Sequence, residues 1–192
     1  MSDLNQQFLE FNKGNTYSIS PIEQAIDQEH IRGTDMELAF RGIYQQESGS
    51  GTNIRTSNQG AVGHSQIKPS TFASVADKGW NIHNPVHNLR AGIRYFKEMY
   101  TKSEGDFGAA FAGYNAGPKG IDAYKAGTAF KDKKNPHTDS IKYATSVLNK
   151  MNSLKPQIVP EESIPPEKSK EVGFPLDLLS PDFRKLMGDK EI

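Results

Sequence analysis

A glutamate occupies a position where the pattern calls for an apolar residue. Met36, Phe40, Ile43 and Glu47 follow one another at spacings of 4, 3 and 4, the spacing of one helix face. The Glu47 carboxyl therefore falls on an apolar stripe, in the last turn before Gly49 and Gly51 end the helix. Burying a carboxyl without a partner disfavours its charged form and raises its pKa. A carboxyl tuned in this way keeps its proton near neutral pH and can pass it to a leaving group. The plainer alternative is a helix-end glutamate that turns to solvent or pairs with a lysine. Periodicity alone favours that alternative, because buried glutamate is rare.

The surrounding segments reverse the balance. Glu47-Ser48-Gly49 is followed by Gly60-Ala61-Val62-Gly63-His64-Ser65-Gln66-Ile67, and then by Ala112-Gly113-Tyr114-Asn115-Ala116-Gly117-Pro118. In this order they resemble the soluble lytic transglycosylase family, whose hallmarks are a Glu-Ser pair, a Gly-Leu-Met-Gln segment and an Ala-Tyr-Asn-Ala-Gly segment. The resemblance extends to Asn88-Leu89-Arg90-Ala91-Gly92 and to Tyr143, which matches a tyrosine in the family's last helix, and it covers residues 34–152. Two departures stand out. His64-Ser65 replaces the usual Leu-Met, in a segment that lines the family's saccharide cleft, so the sugar subsites are expected to differ in detail. Gly113 stands where the family usually has Ala.

The resemblance implies a lysozyme-like α fold and cleavage of the β-1,4 bond between N-acetylmuramic acid and N-acetylglucosamine in peptidoglycan. Most glycosidases flank the scissile bond with two carboxyls, whereas the retained motifs supply one. The family dispenses with the second by letting the muramic acid 6-hydroxyl attack its own anomeric carbon. Glu47 would act first as acid and then as base, leaving a 1,6-anhydro product. An attacking group tethered to the substrate is favoured by proximity over a free water. Neither a metal nor an organic cofactor is implied. Carried over residue by residue, the resemblance makes Ser48, Gln66 and Asn115 substrate-binding residues, and their donors and acceptors suit sugar hydroxyls and N-acetyl groups. Tyr114 would offer a ring face and a hydroxyl, and Tyr143 would hold Glu47 in orientation. Plain structural roles stand beside these: Asn115 capping a turn, Tyr143 filling the core.

The elements that must position these residues read as helices. Thr34 and Glu37 form a capping-box pattern ahead of the Glu47 helix. Pro69 opens a second helix, expected to stop at Gly79. Asn84-Pro85 starts the clearest one, with Val86, Leu89, Ile93, Phe96 and Tyr100 on one side and Arg90, Arg94 and Lys97 on the other. Asp106 caps a run through Phe107, Ala110, Phe111 and Tyr114 that ends at Gly117-Pro118, and Thr138 or Asp139 starts a last helix. Alternating strand patterns are nearly absent, with residues 58–67 able to hold at most a small irregular hairpin. The expected class is all-α.

The flanks differ in kind. Residues 1–33 are polar, with a short helix over Ile22–Ile31, and read as an N-terminal arm; residues 34–155 read as the catalytic domain. Residues 156–192 hold six of the 11 prolines and two apolar clusters, Val172–Leu179 and Phe183–Met187, and read as a tail with docking segments. The formal net charge of zero divides unevenly. The middle carries 16 basic and 10 acidic residues for a net of +6, while each flank carries −3. That suits a domain approaching an anionic polymer between two attachment segments.

Several classes are disfavoured. Zero Cys excludes disulfides, thiolate metal sites and a cysteine nucleophile. No run of about 18 apolar residues suggests a membrane span, and the N-terminus does not read as a secretory signal. Gly63-His64-Ser65-Gln66-Ile67 falls short of a serine-hydrolase elbow, which needs Gly where Ile67 stands. His83 and His87 have metal-pair spacing, but Asn84-Pro85 between them breaks the helix such a pair requires. No motif points to specific nucleic-acid binding. Peptidoglycan is thus the expected substrate, with virion or secretion-machine proteins as partners through residues 1–33 and 156–192. The expected setting is a phage particle that opens the wall during DNA entry, or alternatively the periplasm. Competing functions are a lysozyme-type hydrolase and a structural docking module.

Overall fold

The computed structural model describes residues 19–130 and 139–155. Seven helices are found among them: α1 (Pro21–Gln28), α2 (Asp35–Ser48), α3 (Pro69–Val75), α4 (Pro85–Lys102), α5 (Phe107–Ala116), α6 (Pro118–Lys125) and α7 (Ser140–Ser153). The described residues form no strand, and the expected hairpin reduces to one antiparallel bridge between Val62 and Ile67. The all-α reading holds. No helix among the described residues is long and apolar enough to cross a membrane.

Helix starts follow local chemistry. The Thr34 side chain accepts from the Glu37 N–H and Glu37 in turn accepts from the Gly33 N–H at 2.6 Å, a capping box displaced by one residue. Asn84 accepts from both Val86 and His87 N–H groups, Asp106 from Ala109 and Asp139 from Lys142, so each of these helices begins on a carboxylate or amide oxygen. At the other end of α2, Gly49 takes the left-handed conformation (φ 55°) that stops a helix with little steric cost.

The interior is organised around α5. Residues Gly108 to Tyr114 are all buried, so this helix meets solvent only at its ends. Phe111 stacks on Phe96 of α4 with centroids 5.2 Å apart, and Phe40, Ile43, Leu89, Ile93 and Val147 complete the same cluster. Helices α2 and α7 approach closely at Gly42, where a Cβ would lie 3.2 Å from the Val147 carbonyl and the Met151 nitrogen.

Three expectations need correction. The arm assigned to residues 1–33 is part of the folded unit from α1 onward, since Ile22, Ala25, Ile26 and Ile31 join the main core. Its acidic residues are held internally as well. Glu29, 7% exposed, accepts from Arg90 at 2.8 Å and from Arg94 at 3.1 Å. Glu23 pairs with Arg32 and Arg41. Arg90 and Arg94, expected on the side of α4 away from its apolar stripe, are therefore the partners of the carboxylate that follows α1. Helix α3 stops at Val75, not Gly79, because Arg94 takes the Val75 carbonyl and grips Asp77 with two bonds of 2.8 and 2.9 Å. Helix α6 follows Pro118 directly, where the sequence suggested only an end; proline at a first-turn position starts it. The tail (156–192) and residues 1–18 and 131–138 lie outside the described residues.

Candidate active site

The last turn of α2 delivers Glu47 to a cleft of about 470 Å3. Glu47 is partly buried, and loss of water around its carboxyl pushes its pKa up from 4.5 to about 7, against a smaller downward pull from a hydrogen bond by Tyr143. The Tyr143 hydroxyl, reaching across from α7, donates to Glu47 Oε1. The close approach at Gly42, one to two turns away, brings the two helices within that reach. Burial beside the carboxyl raises the Tyr143 pKa well above the ordinary phenol value, so the phenol remains a donor. A half-neutral carboxyl at physiological pH, fixed by one phenol, fits a group that both gives and takes a proton.

The cleft walls come from three places. The 57–68 segment contributes Ser57, Gln59 and Gln66, α4 contributes Tyr95, and the end of α5 contributes Tyr114 and Asn115. Gln66 has a left-handed backbone (φ 44°), and its Nε2 donates to the Gly63 and Arg55 carbonyls at 2.8 and 3.0 Å. That ties down the amide nitrogen and leaves Oε1 to accept from a bound molecule. Asn115, at the end of α5, is exposed and lines the same cleft.

Asn88 holds the 62–67 segment onto α4. Its Oδ1 accepts from the Ser65 N–H and hydroxyl at 2.9 and 2.8 Å, and its Nδ2 donates to the Val62 and Ile82 carbonyls, both at 3.0 Å. All four bonds are buried or partly buried, so this one amide closes three chain segments together. Ser65 fits because residue 92 is glycine: a Cβ there would stand 2.6 Å from the Ser65 Cβ.

The expected site residues divide accordingly. Glu47, Gln66, Tyr114 and Asn115 line the cleft, and Tyr143 meets Glu47. Ser48 does not reach the cleft. It is 1% exposed; its hydroxyl donates to the Tyr44 carbonyl and accepts from the Gly51 N–H, both at 3.0 Å, so it shapes the turn after Glu47. Tyr114 lines the cleft, but its hydroxyl donates to the Ser65 carbonyl at 2.8 Å and is engaged in positioning that segment. His64 and Ser65 face inward as well. Ser65 is fully buried, and His64 lies beside Tyr44, 6.0 Å between ring centroids, with its Nδ1 buried and unpartnered among the described residues. The expected effect of this pair on sugar subsites therefore falls on packing beneath the cleft.

Tyr95 was not expected. Its ring lies 5.4 Å from Tyr114, its hydroxyl donates to the Gly113 carbonyl at 3.3 Å, and burial pushes its pKa up to about 12. The signal was a second stripe on α4, Ala91-Gly92-Tyr95-Met99, masked by the stronger one through Leu89, Ile93 and Phe96. Among the described residues, no group of three or more His, Cys, Asp or Glu could hold a metal ion.

A family model described as the transglycosylase SLT domain matches residues 24–137. The match takes in most of α1 and stops short of α7, so Tyr143 lies beyond it. Among solved structures, the chain is similar to an inactive Glu-to-Gln mutant of the lytic transglycosylase Slt from Pseudomonas aeruginosa, with a TM-score of 0.53 and 20% identity over 68% of this chain. That alignment spans 22% of the Pseudomonas chain, and at this identity the likeness is one of fold.

Proposed function

Because the chain belongs to the transglycosylase SLT domain family, we propose that it cleaves the β-1,4 bond between N-acetylmuramic acid and N-acetylglucosamine in peptidoglycan, without water. The observation that carries this reading is that Glu47 is the sole carboxyl among the described residues lining the cleft. A hydrolase of the usual kind needs a second carboxyl, about 5 to 9.5 Å from the first, as nucleophile or base. With one carboxyl the attacking group must come from the substrate. Glu47, protonated, gives its proton to the glycosidic oxygen as the bond from that oxygen to C1 breaks. The muramic acid 6-hydroxyl then bonds to C1 and its proton passes to Glu47, which restores the starting state. The product is a 1,6-anhydro end, with no water consumed and no cofactor required.

The remaining residues have supporting tasks in this scheme. Tyr143 holds the carboxyl in one orientation. The Gln66 amide oxygen and the Asn115 side chain offer polar contacts to sugar hydroxyls and acetamido groups.

Digestion of purified sacculi tests the proposal. Muropeptides ending in 1,6-anhydro-N-acetylmuramic acid are expected from the wild type and none from Glu47→Gln. Reducing ends would instead mean hydrolysis, and release by Glu47→Gln would remove Glu47 from the chemistry. The delivery setting is a further part of the proposal: the prolines and apolar clusters of residues 156–192 suit attachment to a carrier such as a phage particle that opens the wall during DNA entry. Mass spectrometry that failed to find the chain in purified particles would rule that setting out.

A further inference from the structure

Among the described residues, the cleft is lined by one cation, and it has no carboxylate partner. Lys68 lines the same cleft as Glu47, is exposed, and makes no ion pair among the described residues, although most of their arginines do. Its backbone is fixed at both sides. Ile67 before it is buried and bridged to Val62, and the Lys68 carbonyl accepts the Phe72 N–H at 2.8 Å. Gln66 and Lys68, two residues apart along this segment, both reach the cleft wall. The ammonium therefore starts from a rigid base and has freedom only in its own side chain.

Lys68 is not there to tune Glu47. Lys68 and Glu47 form no ion pair among the described residues, and the hydrogen bond on the Glu47 carboxyl comes from Tyr143. The two groups divide the cleft, one for moving a proton and one for reading charge.

Sugar hydroxyls and acetamido groups are neutral and need no ammonium. On a muramic acid polymer, negative charge is carried by the lactyl arm, either as carboxylates of an attached stem peptide or as the free lactyl carboxylate once the peptide is removed. We propose that Lys68 is a specificity residue that pairs with a carboxylate on this arm, so that the site reads the muramic acid substituent as well as the glycan. The proposal rests on the peptidoglycan reading above and names the part of that substrate this residue recognises.

Binding tests it without catalysis. The full-length Glu47→Gln protein, with and without Lys68→Gln or Lys68→Arg, is titrated with soluble glycan strands in three forms: peptide-bearing, peptide-bearing with carboxylates converted to methylamides, and stripped of peptide by an amidase. Lys68→Gln should weaken binding to peptide-bearing strands about two- to fivefold, the range for an exposed charged pair. It should leave binding to the amidated strands unchanged, and Lys68→Arg should retain wild-type discrimination. A loss on stripped strands as well shows that the ammonium also accepts the free lactyl carboxylate, and no loss there assigns the stem peptide alone. In the Glu47-containing enzyme, Lys68→Gln should raise KM with kcat unchanged, the signature of lost uniform binding. Equal weakening on native and amidated strands, no weakening on either native or stripped strands, or no binding of any form overturns the proposal. Failure to find anhydro ends in the sacculus digest would overturn the reaction and leave this binding result standing, so the two failures are distinguishable.

Discussion

Replacing Glu47 with Gln should make the protein more stable at neutral pH while destroying its chemistry. The carboxyl titrates near 4.5 in a solvated chain and at about 7 in the fold. Between those values the folded state binds more protons than the unfolded state, so stability falls as pH rises. It is fully present below 4.5 and lost by the time the pH has passed 7. At about 1.4 kcal/mol per unit, the difference of 2.5 units amounts to about 3 kcal/mol, a large part of the stability of a domain this size. The amide introduced by Glu47→Gln cannot ionise, and its oxygen can still accept from Tyr143, so the variant avoids the loss without breaking the contact. Thermal unfolding at pH 4.5, 6, 7 and 8 measures the effect. The variant should match the wild type at pH 4.5 to within about 1 kcal/mol, allowing for the amide, and exceed it by roughly 10 °C in Tm at pH 8. Parallel wild-type and variant curves across this range would refute the claim that burial has raised this carboxyl's pKa, and with it the reason for assigning Glu47 the proton transfer.

The other predictions concern what surrounds that carboxyl. Tyr143→Phe removes the bond that holds the Glu47 pKa down; the alkaline limb of the pH–rate profile should move to higher pH and turnover should fall roughly tenfold. An unmoved limb would show that the phenol does not act on the carboxyl. Asn88→Ala leaves the Ser65 N–H and the Val62 and Ile82 carbonyls without their shared partner, and urea unfolding should show a loss of about 2–4 kcal/mol. A loss under about 0.5 kcal/mol would mean the 62–67 segment is held by other means.

Elements with strong local signals were legible in the sequence. Helices α2, α4, α5 and α7 carry caps and an uninterrupted apolar period, and Glu47 was found because it interrupts chemistry without interrupting spacing. Helix α1 was legible as a short helix but not as part of the core: Ile22, Ala25 and Ile26 carry its burial, and just past its end Glu29 finds partners 61 and 65 positions away on α4. No local pattern shows that Arg90 and Arg94 face α1. Helix α6 is eight residues long and begins at a proline that reads equally well as a stop. Within the site, residue types were read better than directions. Ser48 and Tyr114 have the right groups, but both turned to the backbone: Ser48 to the local turn at Tyr44 and Gly51, Tyr114 to the distant Ser65 carbonyl. Tyr143 was placed beside Glu47 by its resemblance to a family position, and the interhelical approach at Gly42 accounts physically for that placement.

The internal pairing of the arginines also bears on how the protein would find an anionic wall. Arg32, Arg41, Arg90 and Arg94 all spend their guanidinium groups on Glu23, Asp27, Glu29, Glu37 or Asp77, and Arg90 and Arg94 also cover the Trp80 ring at 4.3 and 4.5 Å. Charges neutralised inside the fold exert little pull at a distance, so the described residues offer a weaker long-range field than their basic count suggests. Encounter with the polymer should then depend only mildly on ionic strength. Capture would be governed by dwell time in the cleft, and attraction across solvent would contribute little to it.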